Sequence, residues 1–190
     1  MRVLVACEFS GIVRDAFAAR GHDAWSCDLI PSESHLPGGQ HHIGDAVRFA
    51  RSKTFDLMIA HPPCRYLATS GARWMKDPER MRKQREAVEF ARRLWEAFIP
   101  RICLENPRSV LMTQLAPATQ QIHPWQFGHG ERKETFLWLK NLPPLLPTDI
   151  VEGREPRVHR EAPGPEREKN RSRSYPGIAA AMADQWGKLS

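Results

Sequence analysis

The chain has 190 residues, enough for one domain with a sizeable core. Its hydrophobic fraction of 41% and charged fraction of 26% are ordinary for a globular protein. No apolar run has the length of a membrane span, and the short apolar start Val3-Leu4-Val5-Ala6, followed closely by Glu8, reads as a first strand rather than a signal peptide. A net charge of +6 permits an anionic partner, nucleic acid or nucleotide. Cys7, Cys27, Cys64 and Cys103 are scattered without metal-type pairing, so no zinc, no disulfide framework and a reducing cytoplasm are expected.

Arg2 to Glu8 reads as a strand and Phe9-Ser10-Gly11 as a turn, with Ser10 a fair N-cap for a helix over Gly11 to Arg20. Gly21 ends that helix, and Asp23 to Ile30 forms a second strand carrying Asp28 near its end. This is a βαβ unit. Pro31 to Gln40 is a loop, His41 to Asp45 a short strand and Ala46 to Arg51 a short helix.

Phe55 to Ala60 is a clear strand, stopped by Pro62 and Pro63, which cannot donate to a ladder. Cys64 is thereby presented beyond a strand's carboxyl end, where open α/β sheets bind ligands. Buried small hydrophobe is the competing reading for this thiol. Arg65 to Trp74 is a loop, Asp77 to Ala97 the longest helix, and Arg101 to Asn106 a strand closed by Pro107. Ser109 to Leu115 is helical, with late strands over Gln121 to Phe127 and Thr135 to Leu139. Leu142 to Tyr175 is rich in Pro, Arg and Glu and reads as an extended arm; a helix over Ile178 to Lys188 closes the chain. Alternating strands and helices predict an α/β domain, its mostly parallel sheet covered by helices on both faces.

Five loops should meet at the sheet's carboxyl edge. Gly11 lets a ligand approach the backbone beside a helix N-terminus. Asp28 is placed for two ribose hydroxyls, or is a turn residue. Asp45 could take an exocyclic amine, or is a helix N-cap. Cys64 and Glu105 stand at neighbouring strand ends, where a thiolate could add to an electron-poor ring and a carboxyl could bond a ring nitrogen.

The order Phe-Ser-Gly, strand-end acid, Gly-Asp-Ala, Pro-Pro-Cys, Glu-Asn-Pro resembles the S-adenosylmethionine-dependent DNA cytosine-C5 methyltransferases, from the N-terminus to Asn106. The resemblance implies a Rossmann-like methyltransferase fold, with Cys64 attacking C6 of cytosine and Glu105 holding N3. It implies a cofactor site of Phe9, Ser10, Gly11, Asp28, Leu29, Asp45 and Pro62. Arg132, with Lys133 as the alternative, echoes the family's later basic element. Arg65 stands where the family commonly has glutamine, and Pro107 where it has valine.

The arm occupies the place of the family's target-recognition domain but is too polar to bury a core. Its Arg154, Arg157, His159, Arg160, Arg167, Lys169, Arg171 and Arg173 would contact phosphates as a mobile lid, independent of the cofactor loops. The expected activity is C5 methylation of cytosine in DNA, duplex or single-stranded. Alternatives are C5 methylation of free deoxycytidine nucleotides, an amino-methyltransferase, or a nucleic-acid-binding domain that has lost transfer. Oligomeric state is left open.

Overall fold

The structure, a computed structural model, describes residues 1–36, 39–70, 77–156, 164 and 166–189. The strands are β1 (Arg2–Ala6), β2 (Asp23–Asp28), β3 (Gly39–Ile43), β4 (Leu57–Ala60), β5 (Arg101–Asn106), β6 (Gln120–Ile122) and β7 (Thr135–Lys140). They form one sheet in the order β3-β2-β1-β4-β5-β7-β6. The first five are parallel to one another; β7 runs antiparallel to both β5 and β6. The start of β7 therefore lies at the same edge as the carboxyl ends of β1 to β5, with Asn106 opposite Phe136.

The helices are α1 (Ile12–Ala18), α2 (Ala46–Ser52), α3 (Pro78–Trp95), α4 (Leu111–Gln114), α5 (Arg167–Ser172) and α6 (Pro176–Trp186). Alternation along the central strands sorts their side chains to two faces. Leu4, Ala6, Met58, Ala60, Ile102 and Leu104 pack with residues of α2 and α3. Val3, Val5, Leu57, Ile59 and Cys103 pack with Val13 and Phe17 of α1 and Ile178, Met182 and Trp186 of α6. The chain has a Rossmann-like methyltransferase fold, a mostly parallel sheet between two helical layers.

Three expectations need correction. The strand over Gln121 to Phe127 is cut to three residues, because Pro124 opens a 3-10 turn over Pro124–Gln126 that His123 and Gln126 cap reciprocally. Ser10 is not the N-cap of α1: Gly11 holds that position at φ 78, and the buried Glu8 carboxylate accepts from the Val13 and Arg14 N–H groups at 2.7 and 3.2 Å. Within the arm, Arg167–Ser172 are helical, and the arm is not independent of the first loop. Arg173 and Lys169 both pair with Glu33, at 2.7 and 2.9 Å, and lie over the Phe9 ring. Arg157, His159 and Arg160 lie outside the described residues.

Candidate active site

β4 delivers His61, Pro62, Pro63 and Cys64 to the edge as one stiff segment. His61 keeps the last strand-type bond, its N–H donating to Ala6 O at 2.9 Å. Pro62 is buried, whereas Cys64 is exposed. The Cys64 carbonyl then accepts from the Leu67 and Ala68 N–H groups at 3.0 and 2.8 Å, closing a tight turn.

That turn is laced to the loop following Glu105. The Asn106 side-chain amide, fully buried, donates to Pro62 O at 2.8 Å. Thr69 N–H reaches Arg108 O and Val110 N–H reaches Leu67 O, both at 3.0 Å. Pro-Pro-Cys and Glu-Asn-Pro are therefore one hydrogen-bonded unit, although 41 positions separate Cys64 from Glu105 in sequence. Asn106 is the residue that ties them; in the sequence it stands only as the middle of Glu-Asn-Pro, with nothing to mark its bond to Pro62.

Glu105 has a partner that sequence reasoning also missed. His61 Nδ1 donates to Glu105 Oε2 at 3.0 Å, with side chains 12% and 20% exposed. Burial pushes the Glu105 carboxyl up, but the hydrogen bond from His61, with Lys133 and Thr135, outweighs it and holds the group below its ordinary value. Glu105 is thus a carboxylate, an acceptor in this state. Glu8, buried behind the first loop, is pushed up by desolvation and pulled back by His61 and the α1 N–H groups.

A cavity of about 20 Å³, roughly one water in size, is lined by His61, Glu105, Lys133, Thr135, Arg173 and Tyr175, among others. Along the approach to β7, Glu131 and Thr135 are buried and Lys133 lines the cavity, while Arg132 is exposed. Lys133, not Arg132, is therefore the basic group brought to Glu105. Its ammonium also donates to Arg171 O at 3.0 Å, fastening the arm over the site.

The cofactor residues fall into two groups. Asp28 and Asp45 converge at the ends of β2 and β3, near enough that both raise the Cys7 and Cys27 thiols, second to burial. Each acid also does a local job: Asp28 Oδ1 accepts from Leu29 N–H at 2.7 Å, and Asp45 Oδ1 caps α2 through Arg48 N–H at 2.7 Å. One oxygen of each carries these local bonds, which leaves the second carboxylate oxygen for a ligand. Beside them Leu29 is 76% exposed and Ile43 57% exposed, apolar surface next to paired acids. These acceptor oxygens beside apolar surface suit a ligand that brings hydroxyl or amine donors and a flat apolar face.

The second group, Phe9, Ser10 and Gly11, is buried under the Glu33 loop. Gly11 is explained without a ligand: besides its positive φ, a Cβ there would stand 2.6 Å from Arg14 Nη2 and 2.7 Å from Ser34 Cβ. Arg14 itself is buried, its guanidinium bonded to Ser26 Oγ, Ser32 Oγ and Ser34 O. No cluster of metal-binding side chains occurs among the described residues, and none of their helices is long and apolar enough to cross a membrane.

No protein-family model matches the chain, and no curated protein does. Among solved structures, it is similar to a protein assigned as a DNA modification methyltransferase encoded within an E. coli prophage, at 15% identity and TM-score 0.50, covering 80% of this chain and 52% of that one. It is also similar to the bifunctional kinase-methyltransferase WbdD, at 11% identity and TM-score 0.43, covering 76% and 36% respectively. The chain spans about half the length of the first neighbour. The first likeness agrees with the strand order in giving the chain a methyltransferase fold.

Proposed function

We propose that the chain is an S-adenosylmethionine-dependent methyltransferase acting on C5 of cytosine in DNA through covalent attack by Cys64. The observation that carries this reading is the hydrogen-bonded unit of Pro62, Cys64, Glu105 and Asn106, which holds an exposed thiol and a carboxylate at adjacent strand ends. The prophage neighbour's described role as a DNA modification methyltransferase supports a DNA substrate.

Asp28 would bond the ribose hydroxyls and Asp45 the adenine amine, with Leu29 against the adenine and Phe9, Ser10, Gly11 and Pro62 toward the methionine end. The cofactor supplies an electrophilic methyl group. Cys64 as thiolate adds to C6, which makes C5 nucleophilic toward that methyl. Glu105 as carboxylate accepts from the N4 amine; a proton drawn from solvent bridges it to N3 as charge builds there, and is given up again when the ring double bond re-forms. Lys133, in the role given by resemblance to Arg132, faces O2 and offsets that charge. Loss of the C5 proton re-forms the ring double bond and expels the Cys64 thiolate. A cytosine in duplex must first leave the stack, at a cost of a few kcal/mol.

Free deoxycytidine nucleotide is the second reading, favoured because Glu33 engages Lys169 and Arg173, two cations the arm would otherwise offer to a phosphate backbone. Tritiated methyl transfer to duplex, single strand and dCMP in parallel separates the two. Transfer by the wild type, none by Cys64→Ala, and weaker cofactor binding by Asp28→Ala in calorimetry are expected. Undiminished transfer by Cys64→Ala would overturn the covalent reading.

A further inference from the structure

His61 has no role in the chemistry outlined above, yet it sits inside it. It immediately precedes Pro62-Pro63-Cys64, so the stiff segment that aims the thiol also aims the imidazole. Its Nδ1 is committed to the Glu105 carboxylate at 3.0 Å. Its Nε2 is buried and meets no hydrogen-bond partner among the described residues. A buried ring nitrogen without a partner is costly unless something arrives to use it. His61 lines the same cavity as Glu105, Lys133 and Thr135, and Nε2 is the ring atom left to serve a ligand there.

A carboxylate accepting from Nδ1–H fixes the tautomer in which Nε2 carries a lone pair, the form able to take a proton. We propose that His61 is the general base that removes the C5 proton after methyl transfer. This inference rests on the C5-methylation reading. In the step, the C5–H bond breaks and its proton passes to His61 Nε2. The C–H electron pair becomes the C5–C6 double bond, the C6–S bond breaks, and Cys64 leaves as thiolate. The imidazolium returns its proton to solvent after the methylated base has left. The charged and titratable groups facing His61 are Glu8 from the first loop, Glu105 from β5, Lys133 from the approach to β7, and Arg173 and Tyr175 from the arm.

The test uses His61→Asn, whose amide can still donate to Glu105 and so keeps the pair while removing Nε2. The probes are an oligonucleotide carrying [5-³H]cytosine and one carrying 5-fluorocytosine, each with S-adenosylmethionine. Fluorine cannot leave as a proton, so the second probe reports attack and methylation without elimination. His61→Asn should trap 5-fluorocytosine within a few-fold of the wild-type rate. On ordinary cytosine it should accumulate the methylated Cys64 adduct, release tritium about 100-fold more slowly, and lose the acid limb of the wild-type release profile. Wild-type tritium release by His61→Asn would overturn the role of His61 alone. Equal losses of trapping and release would assign His61 to positioning Glu105 and overturn it as base. Absence of any 5-fluorocytosine adduct in the wild type would overturn the C5 reading, and this inference with it.

Discussion

Four thiols share one chain, and burial separates them. Cys103 and Cys7 are pushed far up by desolvation, and Cys27 to about 12, whereas Cys64 stands exposed after the diproline. A raised thiol pKa means less thiolate at neutral pH and slower attack on an electrophile. Mass-mapped alkylation at pH 7 should therefore mark Cys64 first; faster labelling of Cys7, Cys27 or Cys103 would contradict that order. Cys64 was legible because Pro62-Pro63 must end a strand, and Glu105 because Pro107 ends the next. His61 was not, since a lone histidine before a proline carries no period or spacing, and its meaning lies in a bond to a residue 44 positions away. Nor could spacing choose between Arg132 and Lys133; that depends on which side of the chain entering β7 faces Glu105.

At the scale of elements, hydrophobic period located most of the sheet, while ends depended on single residues such as Pro124. The least legible element was α5, a charged stretch whose order comes from Glu33 in a distant loop. Arg173 first, then Lys169, lower the Glu33 carboxyl from 4.5 to about 2. A carboxylate whose pKa falls on folding stabilises the fold above its unfolded value and loses that contribution as pH drops through the folded one. The melting temperature of the wild type should thus exceed that of Glu33→Gln near neutrality. The gap should narrow as pH falls from 4.5 toward 2, and shrink in high salt because the pair is partly exposed. A gap that is constant across that window would show that the ion pair does not hold α5.

Over the whole molecule, the strand order follows from alternation of strands and helices, and the antiparallel β7 then brings Lys133 and Thr135 to the edge where β4 and β5 end. The C-terminal helix packs with α1 on one face, and the arm between β7 and that helix crosses back to the first loop. The active edge is consequently built from residues far apart in the chain, with the arm against the cavity beside Glu105 and the Cys64 thiol exposed next to it. The central claim is C5 chemistry through Cys64, and the identity of the methylated base tests it most directly. DNA or deoxycytidine nucleotide incubated with the protein and S-adenosylmethionine should yield 5-methylcytosine on nucleoside mass spectrometry, and none with Cys64→Ala. N4-methylcytosine or N6-methyladenine, produced equally by both proteins, would contradict it.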